Sequence, residues 1–411
     1  MGRSFKDAAI AGIGQTEFSK ESGRSELQLA AECSLAACQD AGINPQDIDG
    51  MITFTIDNSD EIGLARALGV RDLAYTTRIP GGGAAAAATL YQAMALVNAG
   101  LCNNVLIWRA MNERSQYRFG QNPTDMKGYT GGHGTGTLLW CIPFGAMTPA
   151  SWAGLSARPY MMKYGVTNED LGRVSVVQRA HAATNPNAWF YQKPITLDDH
   201  QHSKWIMEPV LRLLDCCQES DGGVAILVTS LERARDLKQK PVRLLGATQS
   251  IPYNVEVISN FYHDDLTLMP EAVGVAKRLY AQTGIKPSEI QTAMIYDAFT
   301  PQVLTQLEAY GSCTPGEAKD FVKDGHIALG GSLPINTNGG LIGEGLRQQH
   351  LLFFARLGEP ALAQHRDVHL GLATDRHRQE QAHRRIDHAG HVENGILADP
   401  RLDAGHALDR G

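Results

Sequence analysis

The 411-residue chain is defined first by what it does not contain. None of its seven cysteines forms a Cys-x-x-Cys pair, so a thiolate zinc site is not expected. No Gly-x-Ser-x-Gly elbow and no His-Glu-x-x-His occurs, which removes those hydrolase and metalloprotease signatures. There is no excess of basic residues. The 37 Lys+Arg against 44 Asp+Glu leave a net charge of −7, which argues against a nucleic-acid partner. The N-terminus leads into a short apolar strand and lacks a signal-type apolar region. A membrane segment is not expected either. The nearly uncharged run from Ala84 to Leu101 is Ala-rich, holds Gln92 and Asn98, and follows three glycines, so it reads as a buried helix.

A more local absence divides the chain. The last 66 residues, from Leu346 on, contain no Lys, Met, Tyr, Cys, Trp or Ser. They hold 8 of the 14 His, with 9 Arg against 9 Asp+Glu, so the whole net charge belongs to the first 345 residues. The His of this tail keep no consistent ligand spacing, and no metal site is expected there. What remains is ordinary: 43% hydrophobic residues are enough for a buried core, and scattered, unpaired cysteines fit reduced thiols in a cytoplasmic protein.

Strand and helix patterns alternate before the break. Ala8 to Gly12 reads as a buried strand, and a helix starts at Ser25, where Ser25-Glu26-Leu27-Gln28 has capping-box spacing. That helix ends at Ala41, with Gly42 suited to the left-handed cap. Gly50 to Thr55 is the next strand, then a helix from the triple glycine to about Val97, then the strand Val105 to Trp108. This order predicts an α/β layered fold with a largely buried sheet. Ala41-Gly42-Ile43-Asn44-Pro45-Gln46-Asp47-Ile48 returns 242 residues later as Thr283-Gly284-Ile285-Lys286-Pro287-Ser288-Glu289-Ile290. Gly12-Ile13-Gly14-Gln15 is echoed by Gly246-Ala247-Thr248-Gln249 at an offset of 234. Two echoes in order predict two related halves. The halves are residues 1–240, with a Gly- and aromatic-rich insertion over about 112–202 covering one face of the sheet, and residues 241–345; the tail is 346–411.

Gly12-Ile13-Gly14 lacks the third glycine of a dinucleotide fingerprint, since Glu17 stands there, and reads as a strand-end turn. Gly131-Gly132-His133-Gly134-Thr135-Gly136 has no Lys-Ser/Thr and is no P-loop; it reads as a loop of the insertion, with a substrate lid as the functional alternative. Pro80-Gly81-Gly82-Gly83-Ala84 feeds the N-terminus of a buried helix, whose unpaired N–H groups and dipole face whatever approaches; tight helix packing is the equal alternative. Ile295-Tyr296-Asp297-Ala298-Phe299-Thr300 places Tyr296 and Asp297 at the end of the repeated strand. A core tyrosine and a capping aspartate are the plain reading of that pair. Asn336-Thr337-Asn338-Gly339-Gly340 is a polar turn that would offer amides and a backbone N–H to a ligand.

Together these motifs resemble the thiolase superfamily, in its lipid-transfer-protein or sterol-carrier-protein-x type. They run from the Ala9-to-Thr16 opening through Ser220-Asp221-Gly222-Gly223-Val224-Ala225 and Tyr296-Asp297-Ala298-Phe299 to Asn336–Ile342, across about residues 6–345. The resemblance implies two βαβαβαββ halves in five αβαβα layers, a homodimer, acyl-CoA substrates, and coenzyme A only as part of the substrate thioester. Three positions depart from thiolases. Gly83 stands where the nucleophilic Cys falls, Tyr296 replaces a His, and Ala298 replaces a Cys. This Cys-less pattern resembles the aldolase branch, which splits β-hydroxyacyl-CoAs such as steroid side-chain thioesters and works with a partner subunit carrying an OB-fold and a zinc ribbon. It implies Tyr296 and Asp297 as catalytic residues. Gly83 and Gly339 or Gly340 would form an oxyanion hole, and Asn336, Asn338 and His133 would contact substrate. Thiolytic acyl transfer through Cys102 or Cys313 and a non-catalytic acyl-CoA-binding scaffold are the alternatives.

A second tyrosine follows the Gly-Glu-x turn in that branch; Leu346 stands there in this chain, at the compositional break. Two readings of the tail stand. It is the product of a shifted reading frame in a GC-rich gene, leaving the C-terminal half incomplete, or it is a divergent helical tail. Translating the DNA in the other frames past the Glu344 codon separates them. A frame that restores a Gly-Glu-x-Tyr helix and an apolar strand establishes the shift, and its absence in every frame establishes the divergent tail.

Overall fold

The structure is a computed structural model that describes residues 8–54, 59–79, 83, 85–116, 118, 142–251, 263–345 and 354–355. Its strands are β1 (Ala8–Gln15), β2 (Gly50–Phe54), β3 (Tyr75–Ile79), β4 (Asn104–Asn112), β5 (Trp205–Met207), β6 (Leu211–Arg212), β7 (Asp221–Ser230), β8 (Val242–Arg243), β9 (Thr292–Ala293) and β10 (Phe354–Ala355). Six of them form one sheet in the order β3-β2-β4-β7-β1-β8. β2 runs parallel to β3 and β4, and β7 is antiparallel to both β4 and β1.

The parallel strands need crossovers, and helices supply them: α1 (Glu26–Ala41), α2 (Glu61–Leu68) and α3 (Ala85–Asn98). Alternation along β4 divides the core. Leu106, Trp108 and Ala110 pack with α1 and α2, whereas Val105 and Ile107 pack with Met94 and Val97 of α3. Fully burying each large apolar side chain contributes roughly 1.5–3 kcal/mol. α3 is the buried helix expected of the uncharged run, and its Gln92 amide reaches the Tyr75 hydroxyl at 3.0 Å. No helix among the described residues is long and apolar enough to cross a membrane.

Gly12 and Gly14 are not in a turn; both lie inside β1. A Cβ at Gly12 would fall 2.4 Å from the Ala37 carbonyl oxygen, and one at Gly14 would fall 2.0 Å from that of Cys33. Their smallness lets α1 lie directly on the strand. The N-cap of α1 is half of a capping box: Ser25 accepts the Gln28 N–H at 3.2 Å, but the Gln28 amide turns to Glu32 at 2.9 Å.

The repeat survives as conformation. Gly42 and Gly284 both end helices in the left-handed region, at φ 76° and 72°, and each is followed by a short 3-10 turn, Pro45–Asp47 or Pro287–Glu289. The opening echo does not survive. Residues 244–250 have no strand, and the preceding β8 adds to β1 at the edge of the first sheet.

The remaining helices are α4 (Pro149–Tyr164), α5 (Asn168–Thr184), α6 (Leu197–His202), α7 (Leu231–Arg235), α8 (Pro270–Thr283), α9 (Thr300–Ala309), α10 (Ala318–Lys323) and α11 (Gly340–Gly343). The expectation that the insertion covers the first sheet needs correcting for its described part. Tyr160 of α4 and Leu171 and Val174 of α5 pack with Ile295, Val303, Leu307 and Ile335 instead. The apolar faces of α4 and α5 find their match in the second half. A buried strut adds to this: Asp215 accepts from Thr300 at 2.7 Å and pairs with His200 Nε2 at 2.9 Å, tying the start of α9 to α6. The expected strand up to Tyr296 is short. Among the described residues β9 pairs with β10 and, through Ala293, with Ile335.

Gly14→Ala is expected to destabilise the fold by about 1–3 kcal/mol through overpacking. Urea unfolding should show a lower midpoint with an unchanged slope.

Candidate active site

Past Ala293 the chain continues extended, and a side chain takes the place of a neighbouring strand. The Asn336 amide accepts the Ile295 N–H at 2.7 Å and donates to the Ile295 carbonyl at 2.8 Å. Asn336 holds a left-handed backbone, φ 45°, which asparagine tolerates better than most residues. Its own carbonyl faces His181 Nδ1 at 3.3 Å, while His181 Nε2 accepts the Leu329 N–H at 3.1 Å. The proton of His181 therefore sits on Nδ1. The Asn336 amide is thus spent on the backbone beside Tyr296 and on the Asp297 carboxyl. The expectation that this amide contacts substrate is corrected: it holds the strand end.

Asp297 is fully buried and accepts the N–H groups of Leu341 and Ile342 at 3.0 and 3.3 Å, at the N-terminus of α11. Burial pushes its pKa up to about 7, against the pull of those two N–H groups. A Cβ at Gly340 would fall 2.1 Å from Asp297 Oδ2, and one at Gly339 would fall 2.6 Å from the Ala182 Cβ of α5. The two glycines are needed for close packing. Their N–H groups are engaged as well, Gly339 to the Asn336 carbonyl at 2.8 Å and Gly340 to Asn338 Oδ1 at 3.3 Å. The expected oxyanion donor at this turn is corrected accordingly. Asn338 donates to the buried Glu344, whose other oxygen accepts from Asn185 at 2.9 Å. That network, too, closes on itself. His133 lies outside the described residues, as does Leu346.

Tyr296 and Gly83 are brought together. A Cβ at Gly83 would fall 2.6 Å from the Tyr296 ring edge and 3.0 Å from its hydroxyl oxygen. The phenol fills the space a side chain at position 83 would need, ahead of the N-terminus of α3. Tyr296 is half-buried, with its carbonyl accepting from the Gln306 amide at 2.6 Å. Desolvation and the neighbouring Cys217, Glu113 and Asp297 push its pKa up, so the resting side chain is a neutral phenol and a hydrogen-bond donor.

Two residues that motif reading missed stand close by. Cys217 donates its N–H to the Ala298 carbonyl at 2.9 Å, and burial with nearby carboxyl groups holds it as a neutral thiol. Glu113, just past β4, is 2% exposed. A signal for it lay in the sequence: Arg109 and Glu113 are charged residues four apart, both just past the apolar run Val105 to Trp108. Cys102 and Cys313 have pKa values raised to about 11 and about 12 by burial, unsuited to nucleophilic work. Among the described residues, no group of three or more His, Cys, Asp or Glu is placed to hold a metal ion.

Residues 255–349 match the family model described as thiolase C-terminal domain-like. Over 337 residues the chain is 53% identical to the steroid side-chain-cleaving aldolase of Thermomonospora curvata, covering 82% of this chain and 86% of that protein. It is 51% identical over 337 residues to the 17-hydroxy-3-oxo-4-pregnene-20-carboxyl-CoA lyase of Mycobacterium tuberculosis, covering 82% and 87%. A solved structure, the Ltp2-ChsH2(DUF35) aldolase, superposes with a TM-score of 0.77 at 52% identity, over 83% of this chain and 86% of that one.

The raised pKa of Asp297 means that the folded state holds this proton more tightly than the unfolded state. Its contribution to stability is full below about pH 4 and is lost as pH rises towards 7. Asp297→Asn should remove that slope from unfolding curves measured between pH 4 and 8, and should cost about 1–3 kcal/mol by leaving one N–H of α11 without an acceptor.

Proposed function

The chain belongs to the thiolase superfamily, with the steroid side-chain-cleaving aldolases as relatives, and we propose that it cleaves a β-hydroxyacyl-CoA by a retro-aldol reaction in steroid side-chain breakdown. It is on this reading a carbon–carbon lyase of thiolase fold. The substrate class is a steroid whose side chain carries a CoA thioester and a tertiary hydroxyl on the β carbon, as in the lyase of Mycobacterium tuberculosis. The products are a ketone and a shorter acyl-CoA. Coenzyme A enters as part of the substrate.

One observation carries the reading: the Tyr296 phenol occupies the space beside Gly83, where a thiolase would need its nucleophile. Without a thiol there, no acyl-enzyme forms at that position. A retro-aldol step needs none. It needs a group to receive the β-hydroxyl proton and donors to steady the thioester enolate. Tyr296 moves the proton, with Asp297 fixing the turn behind it. The N-terminus of α3 near Gly83 steadies the oxyanion. A tyrosine held as a neutral phenol does not act as a free base, so its deprotonation must be coupled to a further acceptor.

The solved relative is a two-component aldolase, Ltp2-ChsH2(DUF35), which supports a partner subunit for this chain too. An OB-fold with a zinc ribbon is the partner proposed, alongside a homodimer of this chain in the cytoplasm. Leu346, in place of the branch's second tyrosine, favours a second reading in which this chain binds acyl-CoA without turning it over.

The test incubates the chain and its partner subunit with a tertiary β-hydroxyacyl-CoA and follows release of ketone and acyl-CoA. Cleavage that survives replacement of all seven cysteines and falls by at least about 100-fold in Tyr296→Phe is expected. Binding without cleavage establishes the scaffold reading, and cleavage unchanged in Tyr296→Phe removes the role given to that residue.

A further inference from the structure

On α9 a polar side chain is buried among apolar ones. Val303, Leu304 and Leu307 of this helix are fully buried, and Gln306 beside them is buried too. A glutamine in that setting has to satisfy its amide inside the protein. Both polar atoms of Gln306 are engaged. Its Nε2 donates to the Tyr296 carbonyl at 2.6 Å and to the Gln302 carbonyl at 2.8 Å, and its Oε1 accepts from the Tyr310 hydroxyl at 3.3 Å. The three contacts agree on one orientation of the amide. Tyr310 is itself fastened, because its carbonyl accepts from the Tyr280 hydroxyl of α8 at 2.7 Å. A line of hydrogen bonds thus runs from α8 through Tyr310 and Gln306 to the backbone of Tyr296.

Tyr296 lies between two peptide planes, and a side-chain amide pins each of them. The Ile295 carbonyl, on the peptide before Tyr296, accepts from the Asn336 amide at 2.8 Å. The Tyr296 carbonyl, on the peptide after it, accepts from Gln306. Farther on, the Ala298 carbonyl takes the Cys217 N–H at 2.9 Å. Helix packing does not account for the amide on α9. A methionine has nearly the same length and would fill the place with no strong donor or acceptor to satisfy. What the amide adds is a donor at the peptide next to the Tyr296 side chain. The phenol hydroxyl stands at the far end of that side chain, beside Gly83, so a tilt of the backbone is magnified there. An error of about 1 Å at a reacting group costs on the order of 100-fold in rate.

We propose that Gln306 is a positioning residue for the cleavage step: by holding the Tyr296 carbonyl it sets where the Tyr296 hydroxyl stands beside Gly83. This rests on the retro-aldol reading above. Gln306 moves no proton, and its effect reaches the chemistry through the phenol alone. With Asn336 it does for Tyr296 what two flanking strands would do inside a sheet. Its place on α9 also links the aim of the phenol to the seating of that helix against α8, through Tyr310 and Tyr280.

The experiment uses the complex of this chain with its partner subunit and a tertiary β-hydroxyacyl-CoA. Gln306→Met is expected to lower kcat by about 10–100-fold, with KM within about 2-fold of the wild type. The same change made in Tyr296→Phe should cost less than about 2-fold, because no hydroxyl is left to misplace. Gln306→Glu supplies a donor to the Tyr296 carbonyl only while its carboxyl is protonated, so its kcat relative to the wild type should fall as pH rises. A wild-type kcat in Gln306→Met overturns the inference. So does an equal loss in the wild-type and Tyr296→Phe backgrounds, which is the mark of a residue that only holds the helix. Should Gln306→Met fail to fold by circular dichroism, Gln306→Glu decides: a wild-type kcat across the pH range there overturns the inference, and a loss that grows with pH supports it. A wild-type complex that cleaves nothing removes the functional reading and this inference together. Wild-type cleavage indifferent to Gln306 removes the inference alone.

Discussion

A buried polar seam joins the strand end at Ile295–Asp297 to the turn at Asn336–Ile342, and the site depends on it. Asn336 supplies Ile295 with the donor and acceptor that a neighbouring strand would give. Asp297 takes up the N–H groups at the start of α11. Buried backbone groups must be paired, so neither side of the seam can shift without breaking the other. Tyr296 lies between these two anchors and is thereby aimed at Gly83.

The same seam sets the electrostatics. Asp297 is fully buried on it, and Tyr296 beside it is half-buried. Each of these groups is pushed towards its neutral form, with desolvation the largest cause. Such a site is poor at generating a thiolate or a free phenolate. It is suited to a step in which a proton is handed on and no charged nucleophile is held. Retro-aldol cleavage asks for that, while thiolysis asks for a nucleophile, and Gly83 offers none.

Much of this was legible in the amino-acid order. Short apolar runs and helix-start and cap signals located β1, α1, β2, α3 and β4, and the segments around Gly42 and Gly284 marked the repeat. Tyr296, Asp297 and Gly83 were found as motif positions and departures from a family pattern. Asn336, Asn338, Gly339 and Gly340 were found as well, but in a different role. Polar residues in a glycine turn read as ligand contacts, and the fold spends them internally. A sequence shows donors and acceptors without showing whom they face. Glu113 and Cys217 escaped notice because neither sits in a motif. The strand between Ala293 and Tyr296 was expected to pair in a ladder, yet a side-chain amide takes that part beyond β9.

By itself, then, the amino-acid sequence determined the α/β layering, the repeat, the loss of a thiol at position 83 and the break at Leu346. These depend on local periodicity and residue identity, which one chain carries in order. Only the tertiary structure decided that the phenol of Tyr296 fills the space at Gly83, that the asparagines are braces, and that the carboxyl of Glu113 is buried. Those facts depend on the meeting of residues 83, 217, 296, 336 and 340, which lie far apart in the chain. Burial there pushes the carboxyl groups of Asp297 and Glu113 towards their neutral forms.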